Sequence, residues 1–213
     1  MEKAAWDNGF PAGESELEER MARNGYHKAF AEFLESREIR YYDLMEKAEY
    51  PCLLMGLNGE KCKYRVLVPF WKNEESVKGH LPDFVPPLDL IEVKEIKTPF
   101  GTQRVGVMDS FWEDDDKPVH KLLLQFMEWN KLAVVQTVGL RENIPSESYD
   151  SMHALCNKLN GGCYAKFYLD EDEGALWCQA QQPIDGPSDI KACFHALLDV
   201  LRPIDKNHDE LMK

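Results

Sequence analysis

Histidine and cysteine residues in the C-terminal half of this sequence are the side chains best suited to metal or nucleophilic chemistry. His153 and Cys156 are three residues apart, on one face of a predicted helix, and Cys163 follows soon after it. Imidazole nitrogen and thiolate sulfur are common Zn²⁺ ligands, and Cys193 or His195 would have to complete a set of four. A nucleophilic Cys–His pair is a further option, although the sequence places no third residue to orient the histidine. No spacing in the sequence indicates that the last helix lies near His153, Cys156 and Cys163. We therefore expect these residues to be buried or half-buried side chains rather than ligands of one site.

The six cysteines argue for reduced thiols rather than disulfides. None of them forms a Cys-x-x-Cys pair, so a zinc ribbon and a thioredoxin-like redox motif lose their usual support. The N-terminal residues lack the apolar core of a secretory signal, which favours a cytoplasmic protein. We therefore expect small core thiols, and no catalytic residue, metal or cofactor.

The charge distribution disfavours two classes of partner. With 25 basic and 38 acidic residues, the chain carries a net charge of −13, which makes nucleic-acid binding unfavourable. No apolar run is long enough to span a bilayer, so we expect no membrane association. Acidic side chains concentrate at residues 113–116 and 170–173, two loops that we expect to favour basic segments of a protein partner.

Two further sets of side chains could bind a polypeptide partner. Basic residues alternate with apolar ones along a predicted strand and would form a small basic stripe on its solvated face. Aromatic pairs end two predicted strands and could anchor an interface. Plain solvation and core packing are the alternatives for these two sets. The basic set is Lys61, Lys63 and Arg65, and the aromatic set is Phe70, Trp71, Phe111 and Trp112.

The first half of the chain reads as a tail, a helix and two hairpins. Residues 1–15 have no apolar period and are expected to form a flexible tail. Apolar residues at helical spacing predict a helix within residues 16–39. The turn dipeptide Asn58-Gly59 joins two apolar runs and predicts a tight hairpin, whose second strand has one buried and one solvated face. Residues 91–109 predict a second hairpin.

The second half of the chain alternates helices with strands. Apolar residues at helical spacing after Pro118 predict a helix, and the β-branched run 132–140 predicts a central strand. A helix opened by Pro145 should end at Gly161 and Gly162 in the left-handed conformation.

A third hairpin and a final helix complete the predicted fold. The hairpin covers residues 163–182, and the helix should stop at Pro203, since proline interrupts helical hydrogen bonds. Interspersed hairpins and helices indicate an α+β fold, with a mainly antiparallel sheet and helices packed on it.

The domain organisation has two interpretations. In the first, an N-terminal α+β region covers residues 16–110 and a C-terminal α+β region covers residues 111–213, which would be two related halves. In the second, the chain is one domain with an insertion at residues 71–131. A length of 213 residues allows either arrangement.

The C-terminal sequence resembles a known family. A β-branched strand precedes a proline-opened helix that ends in N-K-L-N at residues 157–160. The strand K-F-Y-L-D follows at residues 166–170, and then an acidic turn, a second strand and a helix. This order resembles the YbjN-type family, described as bacterial sensory transduction regulators, whose fold resembles that of the small type III secretion chaperones. The likeness covers about residues 132–212, and residues 26–70 would supply the opening helix and hairpin.

The resemblance implies a non-catalytic, chaperone-like protein that is often dimeric and binds a partner polypeptide through its sheet and helices. It carries over no catalytic residue, and Asn157 and Asn160 correspond only to structural positions at a helix end. We therefore expect a regulatory, protein-binding homodimer. The alternative is a small enzyme or metal-dependent module built on His153, Cys156 and Cys163.

Overall fold

The structure is a computed structural model that describes six stretches of the chain. These are residues 25–44, 50–78, 80–86, 92–98, 101–107 and 117–213, so the predicted tail lies outside them. The α-helices in this part are α1 (Gly25–Ser36), α2 (Tyr149–Asn160) and α3 (Ile190–Leu211). The strands are β1 (Tyr41–Asp43), β2 (Cys52–Asn58), β3 (Lys63–Trp71), β4 (Glu92–Thr98), β5 (Gly101–Val107), β6 (Val119–Met127), β7 (Leu132–Thr137), β8 (Lys166–Asp170) and β9 (Ala175–Pro183).

Seven of these strands form one sheet, in the order β1-β2-β3-β6-β7-β9-β8, and β4 pairs with β5 in a separate two-stranded sheet. Neighbouring strands of the large sheet are antiparallel, except that β3 and β6 run parallel. A parallel pair requires a long crossover connection, and residues 72–118 provide it. The predicted α+β class with a mainly antiparallel sheet is therefore confirmed.

Both faces of the sheet carry a buried apolar layer. On the first face, Tyr64, Val66 and Phe70 of β3 pack in one cluster with residues of all three helices. On the second face, Leu67 and Trp71 of the same strand belong to a separate cluster. Along β3 all but one of the side chains are buried, so the predicted solvated face of this strand is wrong. The alternating charges in the sequence do not reveal that other segments cover this face.

The three predicted hairpins are present, but the first has a longer turn than expected. Strands β2 and β3 pair as far as Asn58 and Lys63, which leaves a four-residue loop at 59–62. A two-residue type I′ turn needs positive φ at both of its residues. Among the described glycines only Gly139 and Gly174 have a positive φ, so Gly59 does not adopt that turn. The loop amides instead bind a carboxylate of α3.

The segment after Pro118 is the strand β6 and not the predicted helix. The Lys63 N–H donates to the Pro118 carbonyl at 2.9 Å, which begins the parallel pairing with β3. Every second residue from His120 to Phe126 is buried, whereas Leu123 packs against the cluster on the second face. Apolar side chains on both faces of a central strand imitate helical spacing, and this is why the prediction failed.

Two predicted helix ends also differ from the structure. Helix α3 continues through Pro203 to Leu211, with non-helical backbone angles at Asn207. The apolar stripe extends beyond the proline, and burial of Ile204 and Leu211 offsets the lost hydrogen bond. Helix α2 ends before Gly161, whose φ of −72° is not left-handed. The Gly161 N–H still donates to the Asn157 carbonyl, at 3.3 Å.

Strands from both predicted regions share the large sheet. The first three come from residues 16–110 and the other four from residues 111–213. The division into two halves stays a prediction. The alternative of one domain with an insertion at residues 71–131 also stays a prediction, and strand β6 of the large sheet lies within those residues. None of the described helices is long and apolar enough to cross a membrane.

Candidate functional site

The described half of the predicted aromatic interface lies in the protein core. Phe70 and Trp71 are each 1% exposed. Phe70 stacks on Phe126 with ring centroids 4.9 Å apart, and Trp71 belongs to the cluster on the second face. Phe111 and Trp112 lie outside the described residues. Phe70 and Trp71 therefore stabilise the fold and offer no surface to a partner in this conformation.

The predicted basic stripe is not a continuous surface. Lys61 forms an ion pair with Asp209 of α3. Lys63 is only 2% exposed, and Arg65 is half-buried. Because segments cover both faces of β3, its basic residues do not present a row of charges to the solvent.

The acidic turn at residues 170–173 uses a carboxylate to hold its own backbone. Asp170 Oδ1 accepts the N–H groups of Asp172 and Glu173, at 3.1 and 3.2 Å, as in Asx turns. The other acidic loop, residues 113–116, lies outside the described residues. The turn that the structure describes therefore has a structural role of its own.

The predicted His–Cys set is dispersed. Nε2 of His153 lies 2.7 Å from Oε1 of Glu171, on the exterior of the protein. Cys156 is buried, and Sγ of Cys163 lies 3.0 Å from the Ala165 carbonyl oxygen and 3.2 Å from that of Leu159. Burial raises the pKa of both thiols, so neither is an activated nucleophile. In the part of the chain that the structure describes, these side chains belong to no group of three or more metal-binding residues within 4.8 Å.

A long groove runs beside α3. It consists of two adjoining cavities, of about 560 and 470 Å³, which share Tyr164 and Asp199. Tyr164 is 57% exposed, and its hydroxyl donates to the Gln181 carbonyl at 2.6 Å, which holds the ring in place. We call this surface the α3 groove and define it by Lys158, Tyr164, Lys191, Asp199, Arg202 and Lys206.

The α3 groove is basic although the whole chain is acidic. Its basic lining residues are Lys158, Lys191, Arg202 and Lys206, and its acidic ones are Asp189 and Asp199. The Asp189 carboxylate already accepts the amides of Asp185 and Gly186, at 2.7 and 3.3 Å. Lys158 already pairs with Glu210 at 2.7 Å, so the positive charge that can attract an acidic ligand comes from Lys191, Arg202 and Lys206.

A second group of potentially metal-binding side chains lies beneath the C-terminal end of α3, where the helix meets the sheet. Sγ of Cys62 and one ring nitrogen each of His120 and His208 lie within 4.8 Å of one another. Cys62 directly precedes β3, His120 lies in β6, and His208 lies in the last turn of α3. The parallel strands place Tyr64 opposite His120, so Cys62, two residues before Tyr64, shares a face with His120. We call these three residues the Cys–His–His cluster.

Burial keeps two members of the Cys–His–His cluster, Cys62 and His120, uncharged at neutral pH. Burial, and then the neighbouring His208, lowers the pKa of His120 to about 4. Burial, and then the Asp205 carboxylate, raises the pKa of Cys62 to about 11. Nε2 of His120 and Nε2 of His208 are buried and have no hydrogen-bond partner within the described stretches. Neutral imidazole nitrogens with free lone pairs are the form of histidine that binds metals.

Asp205 of α3 fixes the loop that carries Cys62. Its Oδ1 accepts the N–H groups of Lys61 and Cys62, both at 3.0 Å, and its Oδ2 accepts that of Glu60 at 2.8 Å. The Tyr64 hydroxyl lies 3.4 Å from Oδ1. Partial burial raises the pKa of Asp205, but these donors outweigh it and hold the pKa below its ordinary value. The loop is therefore tied to the helix by a charged group.

Sequence reasoning found neither the α3 groove nor the Cys–His–His cluster. The members of the cluster belong to three elements that are far apart in the chain, so no ligand spacing could indicate it. His120 was included in a predicted helix, which hid its place on the sheet. Tyr164 is the second residue of a predicted strand that follows two glycines, and nothing local marks it as exposed.

Comparison with known proteins does not assign this chain to a family. No protein-family model matches the chain, and no curated protein matches it with significance. Its function is therefore inferred from the side chains of the α3 groove and the Cys–His–His cluster.

Proposed function

We propose that this chain is a non-catalytic, chaperone-like regulatory protein that binds an acidic polypeptide segment in the α3 groove. The observation that carries the proposal is the groove itself, which consists of two adjoining cavities along the helix, has a basic lining and includes an exposed tyrosine. An extended polypeptide needs a groove of this kind, whereas a small substrate usually occupies an enclosed pocket.

Tyr164 is suited to anchor such a segment. Its ring is 57% exposed, yet its hydroxyl bond to the Gln181 carbonyl restricts its movement. Binding to a side chain that is already ordered costs less conformational entropy, and tyrosine is among the residues that contribute most at interfaces. We therefore assign Tyr164 as the central contact.

The charges of the groove select the partner. The surplus of basic side chains favours Asp and Glu in the bound segment and disfavours the basic segments that the acidic loops suggested. Arg202 and Lys206 are both exposed on successive turns of α3, where they can contact carboxylates of an extended chain.

The family resemblance supports two further parts of the proposal. YbjN-type proteins are described as regulators and are often dimeric, so we propose a homodimer with chaperone-like architecture. All six cysteines are free thiols, which favours a reducing compartment, and we propose the cytoplasm.

Peptide selection tests the proposal. Random dodecapeptides displayed on phage would be selected on the full chain, and the best one would be labelled for fluorescence anisotropy. We expect selected peptides rich in Asp and Glu with an aromatic or aliphatic residue. Tyr164→Ala should weaken binding at least about tenfold, since truncating an anchor typically costs more than 1 kcal/mol. Light scattering of the same sample should show twice the chain mass of 24.6 kDa.

A matched pair of charge reversals serves as the control. Lys206→Glu in the groove and Lys28→Glu on α1 change the net charge equally, but only Lys206 lines the groove. We expect Lys206→Glu to weaken binding and Lys28→Glu to leave it nearly unchanged. If no peptide binds saturably, or if both reversals have the same effect, the groove is not the binding site. A chain that remains a monomer would contradict the homodimer.

A further inference from the structure

Two buried nitrogen atoms without partners mark the Cys–His–His cluster as a site. Nε2 of His120 and Nε2 of His208 are both buried and unpaired within the described stretches, and one ring nitrogen of each histidine lies within 4.8 Å of Sγ of Cys62. Leaving a buried polar atom without a hydrogen bond is energetically costly, so folded proteins contain few such atoms. A bound cation would satisfy both lone pairs at once.

We propose that Cys62, His120 and His208 bind one divalent transition-metal ion, with Zn²⁺ as the best fit. The donor set decides the metal class, because thiolate and imidazole bind Zn²⁺ strongly, whereas Ca²⁺ and Mg²⁺ prefer oxygen ligands. When Sγ of Cys62 bonds the ion, its thiol proton passes to solvent. Three protein ligands leave a fourth position for water or an external ligand.

The geometry requires only a small closure around the ion. Ligand atoms of a tetrahedral Zn²⁺ site lie roughly 3.3–3.7 Å apart, given bond lengths of about 2.0–2.3 Å. The three ligand atoms of the cluster already lie within 4.8 Å of one another. Side-chain rotations that move the ligand atoms by about 1 Å would complete the site.

Neighbouring groups support the ligands in the way that known metal sites require. Oδ1 of Asp209 lies 3.7 Å from Nδ1 of His208, so a carboxylate is near the ring nitrogen opposite the buried Nε2. Asp205 holds the amide of Cys62 at 3.0 Å and fixes the loop that carries the thiol. His120 lies on a central strand of the sheet, which keeps its backbone rigid.

The proposed site is separate from the α3 groove and has a different consequence. The ion would connect the β2–β3 loop, strand β6 and the last turn of α3, three elements that are distant in the chain. Binding should therefore stabilise the native state, because the unfolded chain does not assemble the three ligands.

Metal titration of the tag-free full chain tests the site. We expect one equivalent of Zn²⁺ to bind by calorimetry and to raise the Tm. Co²⁺, used as a spectroscopic probe, should give intense visible bands of a tetrahedral site and a near-ultraviolet thiolate-to-cobalt band. Cys62→Ser should abolish the thiolate band, and His208→Gln should weaken Zn²⁺ binding by more than about tenfold.

Cys163→Ser and His153→Gln are the matched controls, since neither residue belongs to the cluster. Both variants should retain the stoichiometry and the thiolate band. Circular dichroism of each metal-free variant checks that it is folded, and the measurements on the unmodified chain do not depend on any variant. The proposal fails if the unmodified chain shows no thiolate-to-cobalt band, or if Cys163→Ser removes that band while Cys62→Ser retains it.

Discussion

The Asp205 carboxylate ties the β2–β3 loop to α3. It accepts three backbone amides of the β2–β3 loop, from Glu60, Lys61 and Cys62. Hydrogen bonds to a charged acceptor contribute more to stability than bonds to a neutral one. Without the carboxylate, these amides would lose their acceptor. The Gly59 backbone completes the arrangement, since a Cβ there would lie 2.2 Å from Oδ1 of Asp205.

Replacing Asp205 by alanine should lower the free energy of unfolding by about 1–3 kcal/mol, because three amides lose a charged acceptor. Urea denaturation followed by circular dichroism measures the change. Asp209→Ala is the control on the next turn of the helix, where the exposed ion pair with Lys61 should contribute little to the free energy of unfolding. If Asp205→Ala and Asp209→Ala lowered the free energy of unfolding equally, the loop would not depend on Asp205.

The Asp205 contribution has a defined pH dependence. Its folded-state pKa is depressed, so the stabilisation is present above the unfolded carboxyl pKa of about 3.9 and is lost as the pH falls through the folded pKa. The difference between the unmodified chain and Asp205→Ala should therefore shrink on acidification. Gly59→Ala should cost less in the Asp205→Ala background than alone, since the carboxylate that obstructs the new Cβ is absent.

Helix α2 protects the edge of the sheet at β8. The Asn160 side chain donates to the Phe167 carbonyl at 2.8 Å and accepts the Phe167 N–H at 2.7 Å. The amide thus imitates a neighbouring strand at the outer edge of β8, where an unpaired strand could recruit another chain. Of the two asparagines that the family resemblance marked as structural, Asn160 has this role, and Asn157 is exposed.

Asn160→Ala should therefore destabilise the protein and promote its association. Two backbone groups of Phe167 lose their partners, which should cost about 1–3 kcal/mol in urea denaturation. Amide hydrogen exchange at Phe167 should accelerate, and light scattering should show larger species. Asn157→Ala, three residues earlier on the same helix, should change stability by less than about 0.5 kcal/mol. Unchanged exchange at Phe167 in Asn160→Ala would contradict the assigned role.

At the scale of the whole molecule, the parallel pairing of β3 and β6 joins the two predicted regions. Phe126 of β6 stacks on Phe70 of β3 and contacts Phe30 of α1, with ring centroids 4.9 and 5.6 Å apart. These contacts place aromatic residues of both regions in a single buried cluster. A cluster shared in this way should couple the unfolding of the two regions.

We expect one cooperative unfolding transition for the full chain, with coincident curves from circular dichroism and tryptophan fluorescence. Phe126→Ala should lower the unfolding free energy by about 3–5 kcal/mol and move both curves together, because it opens the shared cluster. Tyr168→Ala, at a side chain that is 39% exposed, should move them little. A folded fragment of residues 111–213, or two separate transitions, would support independent halves instead.

Local sequence signals determined most of the elements of this fold. Asn58-Gly59 predicted a hairpin that the structure contains with a longer loop, and the glycine-containing turn before Ala175 predicted another. The β-branched run 132–140 predicted a strand, which the structure contains as β7. Each of these signals comes from a few adjacent residues, through turn-forming side chains or side-chain branching. Because these local signals identified interspersed hairpins and helices, the α+β class could be predicted from the sequence.

Only the tertiary structure decided the central strand, the last helix and both candidate sites. Residues 119–127 became β6 because β3 offered a parallel partner, and α3 passed Pro203 because its apolar stripe continues to be buried. The Cys–His–His cluster joins residues from three elements, and the α3 groove depends on where α3 rests against the residues around Tyr164. Contacts between distant segments leave no periodic trace in the sequence, whereas their burial and hydrogen bonds fix the final conformation.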